Sequence, residues 1–516
     1  MNSSAPARAG TRQWLGLAVL ALPTLLVAMD VSVLHLAVPQ ISSGLGASAQ
    51  EMLWIVDIYG FMIAGFLVTM GTLGDRIGRR KILLFGAAAF AAASVLAAYA
   101  DDPVTLIAAR ALLGITGATL MPSTLSLIVN MFGDERQRGL AIAVWVTMFS
   151  VGTALGPVIG GLILQAFWWG AVFLIAVPIM VLLLAVGPVL LPEYRDPDGG
   201  KLDLVSVALS LVAILPIILG LKELATDGSP ALAAAAIVVG AAFGYLFVRR
   251  QRTSPNPLVD VRLFSRRAFT VAASALLLTM FVAGGTYLFI TQFLQLVAGR
   301  SPLTAGLWLL PAAFTLIITS MSAPGLAGRF GPAPVVAAGL AVSGVGHLLL
   351  LLVTPSQDVG LLVTAFAILY AGGGPVVALG TDLIVGSAPP QMAGSASAVS
   401  ETSTELGMAL GVAALGSLGT GLYRAQVTVP PGTPPATAEA IQDSLANGVA
   451  ATTSLPPSTA DTLLASAREA FTSGLAGIAL TSAILSFALA GLVLWGIRPS
   501  EEVAEEASAT PVPEAA

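Results

Sequence analysis

Fourteen times along this chain of 516 residues, a run of about twenty mostly apolar residues recurs with hardly a charge inside it. Wound as a helix, a run of that length crosses the hydrocarbon core of a bilayer. The runs fall at approximately 14–38, 53–73, 82–100, 104–127, 140–164, 169–191, 203–221, 230–248, 269–292, 304–325, 333–353, 359–380, 394–420 and 472–496. The expected fold class is an all-α polytopic membrane protein with 14 transmembrane helices. Composition agrees, because 56% of the residues are apolar and 10% charged, more apolar matter than a soluble domain of this size can hide. The first run is too long for a signal-peptide core and lacks a small-residue cleavage site, so it is read as a retained span. With no cysteine and two histidines, neither a disulfide nor a metal centre is expected.

Basic residues set the orientation. With the N-terminus in the cytoplasm, the inner segments collect 18 of the 23 basic residues, from Arg8 and Arg12 through the 76–81 cluster to Arg498. The outer segments hold only Lys222, Arg300, Arg424 and Arg468, and Arg110 lies within a span. Both termini are therefore expected to be cytoplasmic, in a bacterial plasma membrane. Residues 421–471 form the one long outer loop, with a short helix expected near Thr437–Asn447, and the acidic tail 497–516 is expected to be disordered.

The stretch GTLGDRIGRRK (71–81) follows the second span, and a worn copy, GLAGRFG (325–331), follows the tenth. The copy keeps Gly325, Gly328, Arg329 and Gly331 and loses the aspartate. That spacing predicts two six-span halves, 14–191 and 269–496, with the pair of spans at 203–248 inserted between them. Internal repeats of this kind build many secondary transporters. Within the first copy, Gly71, Gly74 and Gly78 allow a tight reversal, Asp75 can accept hydrogen bonds, and Arg76, Arg79 and Arg80 face the cytoplasm.

This loop closely resembles the signature of the major facilitator superfamily. LIAARALLG (106–114) resembles that superfamily's fourth-span motif, and GTALGPVIGG (152–161) its fifth-span antiporter motif. LAVP (36–39) preceded by Met29-Asp30, WIVDIY (54–59) and SETSTELG (400–407) resemble the fourteen-span drug:proton antiporters, the multidrug exporters of Gram-positive bacteria and actinobacteria. The resemblance covers the chain apart from the 421–471 loop and the tail. It implies two six-helix halves, proton-driven export of small lipophilic or cationic substrates, and no cofactor. Two departures stand out: Leu113 replaces a glutamine common in the fourth-span motif, and the tenth span lacks the extra acid some relatives use for divalent cations.

Ionisable groups inside a bilayer cost at least about 2.5 kcal/mol each near its centre and point to function. Asp30, Arg110, Asp382 and Glu401 lie within spans, and Asp57, Glu223 and Glu405 lie nearer their edges. Asp30, near the middle of span 1, could exchange a proton for a cationic substrate, and the family resemblance implies Arg110 as its partner. His35 is about 140° around the helix from Asp30 and is read as a satisfied polar residue. Glu401 and Glu405 are one helical turn apart; a shared cavity and a solvated helix start both remain open for them. Asp57 shares a face with Trp54. Trp54, Trp145, Phe149, Tyr287, Phe289 and Trp308 are available to line an apolar pocket for lipophilic cations. Gly152, Gly156, Gly160 and Gly161 offer a groove for close helix packing, Pro157 can kink the helix, and together they are expected to form a gating seam between the halves.

An enzyme would need a catalytic constellation, and the sequence has none. Without a nucleotide-binding loop, ATP-driven export within this chain is excluded. Export of drugs or dyes, export of one endogenous metabolite, antibiotic or lipid, and a membrane sensor or scaffold remain as readings. The expected partners are substrate, protons and lipids, with no nucleic acid, and the chain is expected to act as a monomer.

Overall fold

The computed structural model describes residues 9–195, 203–225, 229–254, 257, 261–355, 359–386, 393–453 and 455–496. Fourteen described helices are long and apolar enough to cross a membrane. A chain in lipid has no water to satisfy its backbone, so each run closes its hydrogen bonds internally as a helix. The first eight are α1 Thr11–Leu45, α2 Ala49–Ile77, α3 Arg79–Ala98, α4 Pro103–Met131, α5 Glu135–Ala166, α6 Ala171–Leu190 with a break at Ile175, α7 Leu204–Ala225 and α8 Pro230–Thr253. The rest are α9 Arg267–Gln292, α10 Pro302–Phe330, α11 Pro332–Leu350, α12 Val359–Gly386, α13 Ala393–Gln426, the short α14 Pro435–Asp443 and α15 Leu445–Thr452, and α16 Pro457–Gly496. Polar caps mark several starts: Ser48, Asp102, Asp134, Ser229 and Ser301 each accept a backbone N–H three residues on.

Helices α1–α6 pack as one bundle, and α9–α13 with α16 as another. The two ends of the molecule are here named the terminus face, where α1 starts and α16 ends, and the loop face, which carries α14 and α15. The bundles meet along α2 with α13 and along α5 with α10. α7 lies over the α2–α13 line and touches both helices, while α8 stands outside it with only 17% of its apolar window buried. The rest of α8 is left to lipid.

The outer loop holds two short helices rather than one, and they are stitched to the first bundle. Ser42 Oγ donates to Asn447 Oδ1 at 2.9 Å, and the Ala49 amide donates to Asp443 Oδ2 at 3.1 Å. Further contacts between bundles lie toward the same end: Gln295 Nε2 donates to the Leu36 carbonyl at 3.0 Å, and Leu53 packs against Gly416. The acidic tail 497–516 lies outside the described residues.

Candidate functional site

The cap at Asp102 starts α4, and two turns later Arg110 is 1% exposed. A guanidinium so deep needs partners. Nη1 donates to Asp30 Oδ2 at 2.6 Å, and Nε donates to the Ile55 carbonyl at 3.2 Å. Its plane lies over Tyr59, 4.3 Å from the ring centroid, with Phe173 at 5.9 Å. The acid at the middle of α1 and the arginine of α4 are thus one ion pair.

A second pair was not expected. Lys222 does not sit in an outer segment; α7 runs on to Ala225 and buries it completely. Its Nζ lies 3.2 Å from Asp57 Oδ1 and 3.1 Å from Oδ2, and 3.9 Å from the Trp54 ring centroid. The shared face of Trp54 and Asp57 therefore serves the ammonium, with charge on one side and an aromatic face on the other. Glu223, the next residue, is drawn elsewhere: its carboxylate accepts from Gln50 Nε2 at 3.0 Å and from the Ser229 amide at 3.2 Å.

Between these pairs lies a cleft lined by Leu34, His35, Asp57, Tyr59, Arg110 and Glu405, with Val31, Val56, Gly60, Met408, Ala409 and Val412 completing its walls. It is bounded by α1, α2 and α4 of one bundle and α13 of the other. Among the described residues, Glu405 makes no ion pair and no side-chain hydrogen bond. With all three acids ionised, Arg110 and Lys222 against Asp30, Asp57 and Glu405 would leave one negative charge uncompensated. His35 corrects the expectation of a satisfied side chain: it is 3% exposed, its Nδ1 has no partner among the described residues, and its ring stands edge-on to Tyr287 with centroids 5.0 Å apart. The Tyr59 hydroxyl is likewise buried and without a partner among the described residues. Glu401 and Asp382 are exposed and not among the cleft's lining residues.

A family model described as the Major Facilitator Superfamily matches residues 20–412, a stretch that contains every residue of this cleft. The chain belongs to the major facilitator superfamily. It is a transporter of that superfamily rather than an enzyme, and a multi-pass plasma-membrane protein. Over 486 residues it is 48% identical to the multidrug efflux pump LfrA of Mycolicibacterium smegmatis, covering 94% of this chain and 96% of that one. It is 34% identical to the methyl viologen resistance protein SmvA of Salmonella typhimurium over 94% of this chain and 98% of that one. The tetracenomycin C resistance and export protein of Streptomyces glaucescens is 30% identical over 79% of this chain and 76% of its own. In fold, the chain is similar to the inward-facing, unoccupied structure of a bacterial homologue of the human lysosomal transporter Spinster. The TM-score is 0.66 at 16% identity, over 95% of this chain and 100% of that chain.

The superfamily's signature loop is held by its own bundle. Asp75 pairs with Arg79 at 2.6 Å, the Arg79 amide donates to the Tyr194 carbonyl at 2.8 Å, and the Arg80 amide donates to Glu193 at 3.1 Å. Gly78 has φ 117°, and a Cβ there would lie 2.4 Å from Glu193 Oε1, so only glycine fits. In the worn copy, Gly331 repeats the left-handed backbone with φ 84°, but Gly325 and Gly328 face open space.

The fifth-span motif needs correction as a seam between halves. A Cβ on Gly152 would lie 2.3 Å from the Leu25 carbonyl oxygen, and one on Gly156 would lie 2.0 Å from Ser32 Oγ. Gly160 likewise meets Val33. Glycines four apart share one helical stripe, and that stripe seats α1, the helix of Asp30, within the same bundle. Gly161 and Pro157 reach across: a Cβ on Gly161 would meet Leu303 Cα at 2.6 Å, and the Pro157 carbonyl fills the space beside Gly306.

The aromatics also divide. Trp54 covers Lys222 and Tyr287 backs His35, so these two border the cleft. Trp145 donates to Thr124 Oγ1 at 3.1 Å and fastens α5 to α4. Phe289 stacks on Phe471 in a separate pocket at the loop face, Trp308 is exposed, and Phe149 is half-buried outside the cleft lining. Sequence reasoning missed Lys222 and Tyr59. For Lys222 a signal existed: it is a basic residue placed against the charge bias of the loops.

Proposed function

We propose that the protein is a proton-coupled antiporter that exports lipophilic cations, drugs or dyes, by alternating access. The observation that carries this is the charge balance of the cleft. Asp30 and Asp57 each hold a basic side chain, while Glu405 has none among the described residues, so with its acids ionised the site is one positive charge short. An uncompensated carboxylate between transmembrane helices must be neutralised. A proton and an organic cation can each do so, and not both at once. Mutual exclusion of that kind is what couples inward proton flow to outward substrate flow. Apolar walls from Leu34, Val56, Met408 and Val412 suit the rest of a lipophilic ligand.

The relatives' names, a multidrug pump and resistance exporters, support a small drug-like substrate for this chain. The charge bias of the loops supports cytoplasmic termini. With that orientation, the bundle contacts gathered at the loop face correspond to a state closed on the outside. The names of the antibiotic exporters favour a second reading, a dedicated exporter of one endogenous product.

The test is efflux of ethidium from proteoliposomes holding the purified protein under an imposed proton gradient. Efflux is expected to stop when a protonophore collapses the gradient. Efflux that persists with protonophore and requires ATP overturns the coupling. Transport of a single secreted product, with no response to ethidium or other dyes, favours the second reading.

A further inference from the structure

The inserted helix pair contributes one charged side chain to this region, and that side chain neutralises an acid of the cleft. Resting on the export reading above, we propose that Lys222 sets substrate charge: by holding Asp57 as an internal ion pair, it limits the cleft to one positive charge at a time. Asp57 and Glu405 line the same cleft from α2 and α13. Either carboxylate could meet a cation there, but Lys222 Nζ already lies 3.1 Å from Asp57, with both side chains fully buried. The Trp54 ring, 3.9 Å from Nζ, covers the ammonium on another side. No substrate charge reaches Asp57 without displacing a lysine enclosed in this way.

The cleft also presents polar groups that are left open. The buried His35 Nδ1 and Tyr59 hydroxyl have no partner among the described residues, and both residues are among its lining. Buried polar groups rarely go unpaired, so these atoms mark where a polar ligand or water completes the site. Removing the Lys222 charge leaves Arg110 alone against Asp30, Asp57 and Glu405. The deficit becomes two charges, and a dication then fits where a monocation did. The mirror change, Asp57→Asn, leaves Lys222 charged and cancels the deficit, so cations of either valence should be disfavoured.

The assay compares ethidium, a monocation, with propidium, a dication on the same phenanthridinium frame, in proteoliposomes of the full chain. In Lys222→Met, the propidium-to-ethidium ratio of apparent affinities is expected to rise about tenfold, the change produced by one added contact worth about 1.4 kcal/mol. Lys222→Arg should keep the wild-type ratio. Asp57→Asn/Lys222→Met carries no stranded charge and is judged by the ratio alone, which should match wild type. An unchanged ratio in Lys222→Met overturns the proposal. If that variant does not fold, a double variant with a ratio shifted from wild type overturns it equally, because Asp57 would then already serve substrate. Wild-type protein that moves neither dye sinks the export reading. Wild-type ethidium efflux with no ratio change in Lys222→Met sinks only this inference.

Discussion

Gly161→Ala should shift the protein away from the state closed at the loop face. The motivation is geometric: the added Cβ would lie 2.6 Å from Leu303 Cα, 2.7 Å from the Pro302 carbonyl oxygen and 2.8 Å from the Leu303 amide nitrogen. All three are backbone atoms, so no side chain can swing away. The nearest stands 0.8 Å inside the 3.4 Å at which ordinary contact begins, and α5 and α10 must part by about that much. Overpacking of this size costs about 1–3 kcal/mol. The contact joins the two bundles, so the cost falls on the state in which they meet at this end. That is a population shift of about 5- to 150-fold. The chain has no cysteine, so Leu53→Cys gives a single reporter. Leu53 is 5% exposed and packs against Gly416 across the bundle boundary. Its labelling by a membrane-impermeant maleimide should accelerate by the same factor in the Gly161→Ala background. Gly152→Ala adds the same methyl inside one bundle and should lower stability without accelerating labelling, and Gly325→Ala, facing open space, should do neither. Labelling of Gly161→Ala at the parent rate would refute the reasoning.

Asp30→Asn keeps shape but strands the buried Arg110, so it should insert normally and lose coupled efflux by at least about tenfold, a change of about 1.4 kcal/mol. Full ethidium efflux with proton release from that variant would leave Glu405 as the carrier, and Asp30→Glu should retain part of the activity. Asp75→Asn keeps an oxygen acceptor for the buried Arg79 but removes the charge paired with it, so the transport rate should fall; equal rates at matched protein levels would reduce the loop to a topogenic turn. Partial burial pushes the Asp203 carboxyl up, but hydrogen bonds from Arg250 and Ser206 outweigh it and hold the group below its ordinary 3.8. A depressed carboxylate stabilises the fold above its unfolded value and loses that contribution as the pH falls through the folded one. The melting temperature in detergent should therefore drop below about pH 4, and Asp203→Asn should flatten that drop.

The helices were legible because bilayer thickness is written into the length of each apolar run, and the spans agree with the structure apart from their ends. Hydropathy marks where a run stops being apolar, not where a helix stops, and that is how Lys222 escaped. Its partner is 165 residues away. No local period encodes such a pairing. Three of the four basic residues against the loop bias held the information: Lys222 is buried on Asp57, Arg424 lies 4.0 Å from Asp443, and Arg468 donates to the Leu296 carbonyl at 3.2 Å. A misplaced charge in a membrane protein is more often tied down than free. Gly152, Gly156 and Gly160 form a stripe that seats α1 rather than the other half, while Gly161 and Pro157 do meet the other half; spacing alone does not say which helix lies in the groove.

The inserted pair rests on both bundles, but not by the same kind of contact. Toward α2 it is held by the Asp57–Lys222 ion pair and by Gln50 donating to Glu223 at 3.0 Å. Toward α13 the contact is apolar, with Ile218 clustered with Ala409 and Ala413 and with Ile214, Leu215, Leu406 and Leu410 around them; Phe61 of α2 shares that cluster. Ion pairs and hydrogen bonds fix a register, whereas burial of apolar surface is non-directional and tolerates sliding. If the bundles rock against each other during transport, α7 should travel with α2 while α13 slides beneath it. Cysteines paired across α7 and α2 should then cross-link without stopping efflux, and cysteines paired across α7 and α13 should arrest it. Arrest by the α2 link, with transport surviving the α13 link, would place the inserted pair with the other bundle.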